Sequence, residues 1–251
     1  MKFAIKSIVA AAAFVAAGAA SAAATTVNVG DTLGGLQLGG GAGVLSFSVD
    51  LMSALDIGQV TVSSYSPGTA SVTKDSFGSY SNVSASAPIT SVTVDTATNN
   101  LLSVATAGGA TQTSPVLKGV SIGGSLTVSD LNVDLANKKV YATVIGGNGV
   151  GTLSNFYLWD IVKPVTTEQF IAGNNRTLSA ISGLQITSGG FNTFVQALGL
   201  LPLGKGALQS VTDFGTITTT MTVTPVPEPA TYALMALGVA AIGVAARRRR
   251  A

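Results

Sequence analysis

The sequence predicts an all-β fold: an antiparallel β-sandwich with one or two short helices, placed between an N-terminal signal helix and a C-terminal transmembrane helix. Ser and Thr make up 51 of the 201 residues in 25–225, a composition that suits strands and turns. Several segments alternate between polar and apolar residues with a period of two. A β-helix is the alternative, but it would show an internal repeat, which the sequence lacks.

Residues 1–24 have the features of a secretory signal peptide. Two lysines precede an uncharged apolar run over residues 8–20, and small residues follow. The small-x-small pattern predicts cleavage after Ala22 or Ala24. A retained N-terminal membrane anchor is the alternative. The remaining chain divides into a β-rich exported domain at 25–225 and a C-terminal sorting segment at 226–251.

Six segments of the exported domain alternate as half-buried strands do. They are residues 44–49, 59–63, 91–95, 125–135, 139–144 and 216–224. The fourth and fifth are separated by a short turn centred on Asn137, so residues 125–145 are predicted to form a β-hairpin. Its alternation slips at Ser129–Asp130, which predicts a β-bulge.

A glycine-rich segment at 146–151 follows the hairpin. It lacks the Lys-Ser/Thr pair of a phosphate-binding loop, so we expect a turn. The next strand, 155–161, contains the only tryptophan and has aromatic residues on both faces. We expect one face to lie in the core, while Tyr157 and Trp159 are candidates for stacking on a sugar.

Helical signals are few. Thr166 to Gln169 resembles a capping box for a short helix through Ile171, with Gly173 as its stop. Residues 192–198 place apolar side chains on one side and are followed by Gly199.

The last strand carries a threonine at every second position. These threonines are Thr216, Thr218, Thr220, Thr222 and Thr224. They share one face of the strand. The stripe is expected to face solvent on an edge strand. Binding to a regular surface such as ice or a polysaccharide is the alternative, and it requires several strands in register.

The sequence identifies no catalytic residues, cofactor or metal site, and we expect the protein not to be an enzyme. Ten carboxylates are scattered over 25–225. A secreted carbohydrate-active enzyme would need two of them about 5–10 Å apart, which the sequence alone does not identify. Asp130, Asn132 and Asp134 occupy alternate positions of a strand, so they share a face and are candidate calcium ligands. They lack the residue pattern of a known calcium-binding loop.

The chain ends in three ordered parts. Pro227, Glu228 and Pro229 lie in an extended, exposed segment, because closely spaced prolines do not fit a regular helix or a central strand. Residues 232–246 carry no charge and are predicted to form a short transmembrane helix of about 22 Å. Four arginines, Arg247, Arg248, Arg249 and Arg250, follow and predict a cytoplasmic C-terminus.

This tail resembles the PEP-CTERM sorting domain of Gram-negative bacteria. The resemblance implies that Pro227, Glu228 and Pro229 are read by an exosortase, a membrane enzyme that cleaves such tails. It also implies export through the inner membrane, transient membrane anchoring, and then a place at the cell surface or in the extracellular matrix. A plain tail anchor is the alternative.

The net charge of the exported domain indicates which classes of partner it can bind. Residues 25–225 contain seven basic and ten acidic residues, a net charge of −3, so nucleic acid is not expected as a partner. We therefore expect an exported surface or matrix protein with a binding or structural role, associated with biofilm or exopolysaccharide. A polysaccharide is the expected partner besides the exosortase. The alternatives are the carbohydrate-active enzyme and an ice- or surface-binding protein.

Overall fold

The computed structural model describes residues 23–165, 168–177 and 180–227, together with Leu234, Met235 and Leu237. The predicted signal helix over 1–24 lies almost entirely outside these residues. So do Glu228, Pro229, most of 232–246 and Arg247 to Arg250. Among the described residues, no helix is long and apolar enough to cross a membrane.

Fifteen strands and three short helices make up the described part of the chain. The strands are β1 Ala24–Asn28, β2 Thr32–Leu33, β3 Leu36–Phe47, β4 Thr61–Tyr65, β5 Thr69–Lys74, β6 Tyr80–Asp95, β7 Leu101–Thr106, β8 Gly109–Leu117, β9 Ser121–Asp134, β10 Lys139–Gly146, β11 Gly151–Ile161, β12 Gly173–Thr177, β13 Ile181–Ser182, β14 Leu184–Ile186 and β15 Gly215–Pro225. The helices are α1 Val49–Ile57, α2 Ser188–Ala197 and α3 Pro202–Gln209. The predicted all-β class is confirmed, with one helix more than expected.

The strands form two antiparallel layers that share β6. The first half of β6 pairs with β3 and β5, and β3 continues the layer to β15, which is followed by β12 and β13. The second half of β6 pairs with β1 and β7 in the other layer, which continues through β9, β10, β11 and β14. In the same layer β8 pairs with β9, and β4 pairs with β8. A strand that passes from one sheet to the other forms a corner of the sandwich.

The predicted hairpin and bulge are confirmed. Strands β9 and β10 pair from Asp134 opposite Lys139 to Leu126 opposite Gly146. Their register shifts between Tyr141 and Thr143, opposite Asp130, whose φ is +51°. An extra residue in a left-handed conformation is the local geometry of a β-bulge. The glycine-rich segment after β10 is the predicted turn into β11.

The helices differ from the sequence expectation. Residues 192–198 do lie largely within α2. Of the other predicted helix, Thr166 and Thr167 lie outside the described residues, and Glu168 to Ile171 are not helical, since Gln169 forms a β-bridge with Asn100. Helix α1 was not expected, although Ser48 caps it by accepting a hydrogen bond from the Leu51 N–H at 3.0 Å.

Apolar side chains between the layers form two separate clusters. The larger contains Leu45, Val83 and Ile217 and extends beneath the three helices. The smaller contains Leu38, Ile89 and Met221 among others. Strands β3, β6 and β15 contribute to both clusters, so the core is divided along the length of these strands.

Candidate functional sites

The sorting motif begins at the end of β15. Pro225 is the last residue of that strand, and the Val226 N–H donates to the Gly35 carbonyl at 2.8 Å. Pro227 follows and is exposed. The first proline of the motif is thus held next to the folded domain and is open to solvent. Glu228 and Pro229 lie outside the described residues.

All ten carboxylates of the exported domain have a hydrogen-bond or ion-pair partner. Seven accept hydrogen bonds from backbone N–H groups, and they are Asp31, Asp56, Asp75, Asp95, Asp130, Asp134 and Asp213. Asp50 and Asp160 accept from the hydroxyls of Thr212 and Tyr157. Glu168 forms an ion pair with Arg176 at 3.9 Å. The bonds of Asp31, Asp75, Asp95 and Asp134 lie within turns, which is a structural role.

The three candidate calcium ligands have different surroundings in the structure. Asp130 accepts from the Gly108 N–H at 2.8 Å, and Asp134 accepts from the Asn137 N–H at 2.9 Å. Asn132 Oδ1 is buried and has no hydrogen-bond partner in the described part of the chain. Among the described residues, no three His, Cys, Asp or Glu side chains come close enough to hold a metal ion.

A Ser-x-x-Lys spacing in β5 does not form a nucleophile and its base. Ser71 lies opposite Ser84 on the outer face of the layer. The Lys74 ammonium lies 4.4 Å from the centre of the Tyr80 ring, and Tyr80 packs against the larger apolar cluster. The lysine is therefore engaged with an aromatic ring and not with the serine.

The predicted stacking role of Trp159 is wrong, because its side chain is only 3% exposed and packs against Phe214 with ring centroids 6.1 Å apart. Tyr157 is half-buried on the outer face of the other layer. Its ring lies 5.5 Å from that of Tyr141, with the Lys139 ammonium 4.9 Å from its centre. Tyr141 is a neighbour that the sequence did not identify, since the pairing of β10 with β11 brings it there.

The hydroxyl of Tyr157 donates to Asp160, and this predicts a pH dependence. Partial burial, followed by this hydrogen bond and the carboxylate charge, raises the pKa of Tyr157 to about 12. The folded state therefore holds this proton more tightly than the unfolded chain does. Its stabilising contribution is complete below pH 10 and is lost as the pH rises through 12.

We expect Tyr157→Phe to flatten the decline of unfolding free energy between pH 10 and 12, measured by urea unfolding at several pH values. Tyr65→Phe, at an exposed tyrosine, is the matched control. Equal slopes for wild type and Tyr157→Phe would contradict the assignment. In a spectrophotometric titration, one of the five tyrosines should ionise later in the wild type than in Asp160→Asn.

The threonine stripe lies on β15, but β15 is not an edge strand as expected. It pairs with β3 along one side and with β12 and β13 along the other. Ile217, Thr219, Met221 and Val223 point inward and are buried, while the five alternate threonines are half-exposed.

The stripe continues across three more strands. Thr216 lies opposite Ser46, which lies opposite Ser84, which lies opposite Ser71. The ten hydroxyl residues of this outward surface, here called the hydroxyl face, are Ser46, Thr69, Ser71, Ser84, Ser86, Thr216, Thr218, Thr220, Thr222 and Thr224.

All ten positions of the hydroxyl face are half-exposed or exposed. On β3 the intervening outward residues are small, Ala42 and Val44, and none of these positions is charged. Neighbouring strands are about 4.8 Å apart and alternate residues about 6.7 Å apart, so the hydroxyls form a grid with spacings close to the size of one sugar ring.

Comparison with known protein families finds a match for the C-terminal tail alone. Residues 225–250 match the family model of the PEP-CTERM protein-sorting motif, and the central domain matches no family. No curated protein and no solved structure matches the chain. The tail indicates an exported protein that is anchored transiently in the membrane, processed by an exosortase, and directed to the cell surface or beyond.

Proposed function

We propose that the protein is a non-enzymatic component of the cell surface or extracellular matrix that binds neutral polysaccharide through the hydroxyl face. The observation that carries this proposal is the grid of ten hydroxyl residues on four paired strands, with no charged side chain among them. Hydroxyl groups both donate and accept hydrogen bonds, as sugar hydroxyls do.

Charge supports a neutral partner. The exported domain has a net charge of −3, so an anionic polymer would be repelled in the absence of a basic patch. A role in biofilm or exopolysaccharide, following release by the exosortase, agrees with this chemistry. The partners of the ten carboxylates favour binding over the catalysis of a carbohydrate-active enzyme, because an acid pair for glycoside hydrolysis has to be available to the substrate.

Binding should be measured by cosedimentation of the released protein with insoluble glucan and with alginate, a polyanion. The test variant is Ser46→Lys with Ser71→Lys, because both positions are exposed and lie on the hydroxyl face. We expect affinity for the glucan to fall about tenfold, equivalent to about 1.4 kcal/mol. Two bulky cations would hold the polymer away from the remaining hydroxyls.

The matched control is Thr61→Lys with Ser63→Lys, at exposed positions on β4, an edge strand of the other layer. Glucan binding by this variant should equal that of the wild type. Equal loss in both variants, or binding to alginate alone, would contradict the proposal. Inhibition of ice recrystallisation without glucan binding would favour the ice-binding alternative, and release of reducing ends from the glucan would favour the enzyme.

Tyr157 is proposed as a separate sugar contact on the opposite layer. Tyr157→Ala is expected to weaken glucan binding while leaving the hydroxyl face unchanged. An unaltered affinity in this variant would remove Tyr157 from the binding site without affecting the main proposal.

A further inference from the structure

Small and polar residues separate the two apolar clusters of the core. Between Leu45 and Leu38 on β3 lies Gly43. Between Val83 and Ile89 on β6 lie two alanines, and between Ile217 and Met221 on β15 lies Thr219. Three adjacent strands thus lack a large inward side chain at the same level of the sandwich.

The opposite layer does not fill the resulting space. A cavity of about 40 Å³ remains between the layers. Its walls include Ala87 and Thr219 on one side and Ala110 and Gln112 on the other. A volume of this size holds about three water molecules, or one small organic molecule.

One buried hydrogen-bond donor in the wall lacks a partner. Trp159 lines the cavity and is 3% exposed, and its indole Nε1 forms no hydrogen bond with the described residues. Leaving a buried N–H group unpaired costs about 1–3 kcal/mol. The donor therefore favours an occupant that brings an acceptor.

We infer that this cavity is a binding site for a small neutral ligand with an apolar ring or short alkyl body and one oxygen acceptor, which receives the indole N–H of Trp159. The mostly apolar walls select the body of the ligand by burial of its surface. The Trp159 donor and the Gln112 amide select the oxygen. This site is separate from the hydroxyl face. The cavity lies between the two layers, whereas the hydroxyl face lies on the outer side of the layer that contains β3 and β15.

A second cavity indicates where a longer ligand would extend. It has a volume of about 20 Å³ and lies beneath the three helices. Leu51, Gln112 and Phe194 line both cavities. An alkyl chain attached to the ring would therefore continue past Gln112 towards α1, α2 and α3.

The ligand pair for the test is cyclohexanone and methylenecyclohexane. They have the same ring and nearly the same shape, but only the ketone has a strong acceptor. Trp159 is the only tryptophan of the chain, so its fluorescence reports binding directly. Ligand-observed NMR on the exported protein provides affinities for variants as well. We expect saturable binding with dissociation constants on the order of 0.1–1 mM.

In Trp159→Phe, the ratio of ketone to hydrocarbon affinity should fall about five- to tenfold, because the donor is lost while an aromatic ring remains. In Ala87→Leu and Ala110→Leu, separately, the added side chain should fill the cavity and abolish binding of both ligands. Ala97→Leu, in an exposed turn, is the matched control and should bind as the wild type does.

Absence of saturable binding by the wild type would overturn the inference and indicate a water-filled cavity. An unchanged affinity ratio in Trp159→Phe would overturn the assignment of the donor. If both leucine variants fail to fold, the wild type and Trp159→Phe still decide the outcome, since neither measurement depends on filling the cavity.

Discussion

Replacing Pro227, Glu228 and Pro229 together by alanine is expected to leave the protein in the membrane fraction with its tail intact. Proline fixes φ near −65° and has no backbone N–H, so Pro227 is a poor residue for prolonging β15. Alanines would remove both this constraint and the side chains that we expect the exosortase to recognise. Pro227 is already exposed two residues after the strand, as a protease substrate has to be.

Intact mass and cell fractionation measure this result. The wild type should have lost both the signal peptide and the tail and should lie outside the cell, whereas the triple variant should remain in the membrane. Pro115→Ala, at an exposed position of β8, is the control for a general effect of proline loss. An intact tail and equal membrane retention for wild type and variant would contradict exosortase processing and indicate a plain tail anchor.

Phe214→Ala is expected to have the largest effect on stability. Phe214 is fully buried and contacts the rings of Trp159 and Phe194 at centroid distances of 6.1 and 6.0 Å. Its ring packs against Trp159 of β11 and against Phe194 of helix α2. Truncating a buried phenylalanine costs about 3–5 kcal/mol, a large part of the roughly 5–15 kcal/mol that stabilises a typical domain.

Urea unfolding followed by Trp159 fluorescence tests this expectation. Phe77→Ala is the matched control, since Phe77 is 92% exposed and should lose less than about 0.5 kcal/mol. Equal stability of Phe214→Ala and Phe77→Ala would mean that the aromatic group at 214 does not support the core.

Local patterns predicted the parts of the fold that depend on neighbouring residues. The hairpin over 125–145 and its bulge at Asp130 follow from alternation and a short turn. Helix α1 was missed although Ser48 and Asp50 provide a capping residue and an acidic first turn, because the alternation before them suggested a strand. Helix α3 contains Gly204 and Gly206, which weaken the helical signal.

Long-range pairing explains what the sequence could not predict about the sites. The threonine stripe was visible, but its continuation required β15 to pair with β3, whose residues lie about 180 positions earlier. Tyr157 and Trp159 were candidates for the same surface because they share a face if β11 alternates without interruption. The register of β11 against β10 shifts between Tyr157 and Trp159, so the two side chains do not share a face.

The position of β15 determines how the domain would respond to mechanical load while its tail is still in the membrane. The tail leaves from the end of an eleven-residue strand with partners on both sides. Flow or a bound polymer that pulls the domain away from the cell would therefore draw β15 along its own axis. Hydrogen bonds between antiparallel strands are perpendicular to that axis, so they would share the load in shear and would not open one after another.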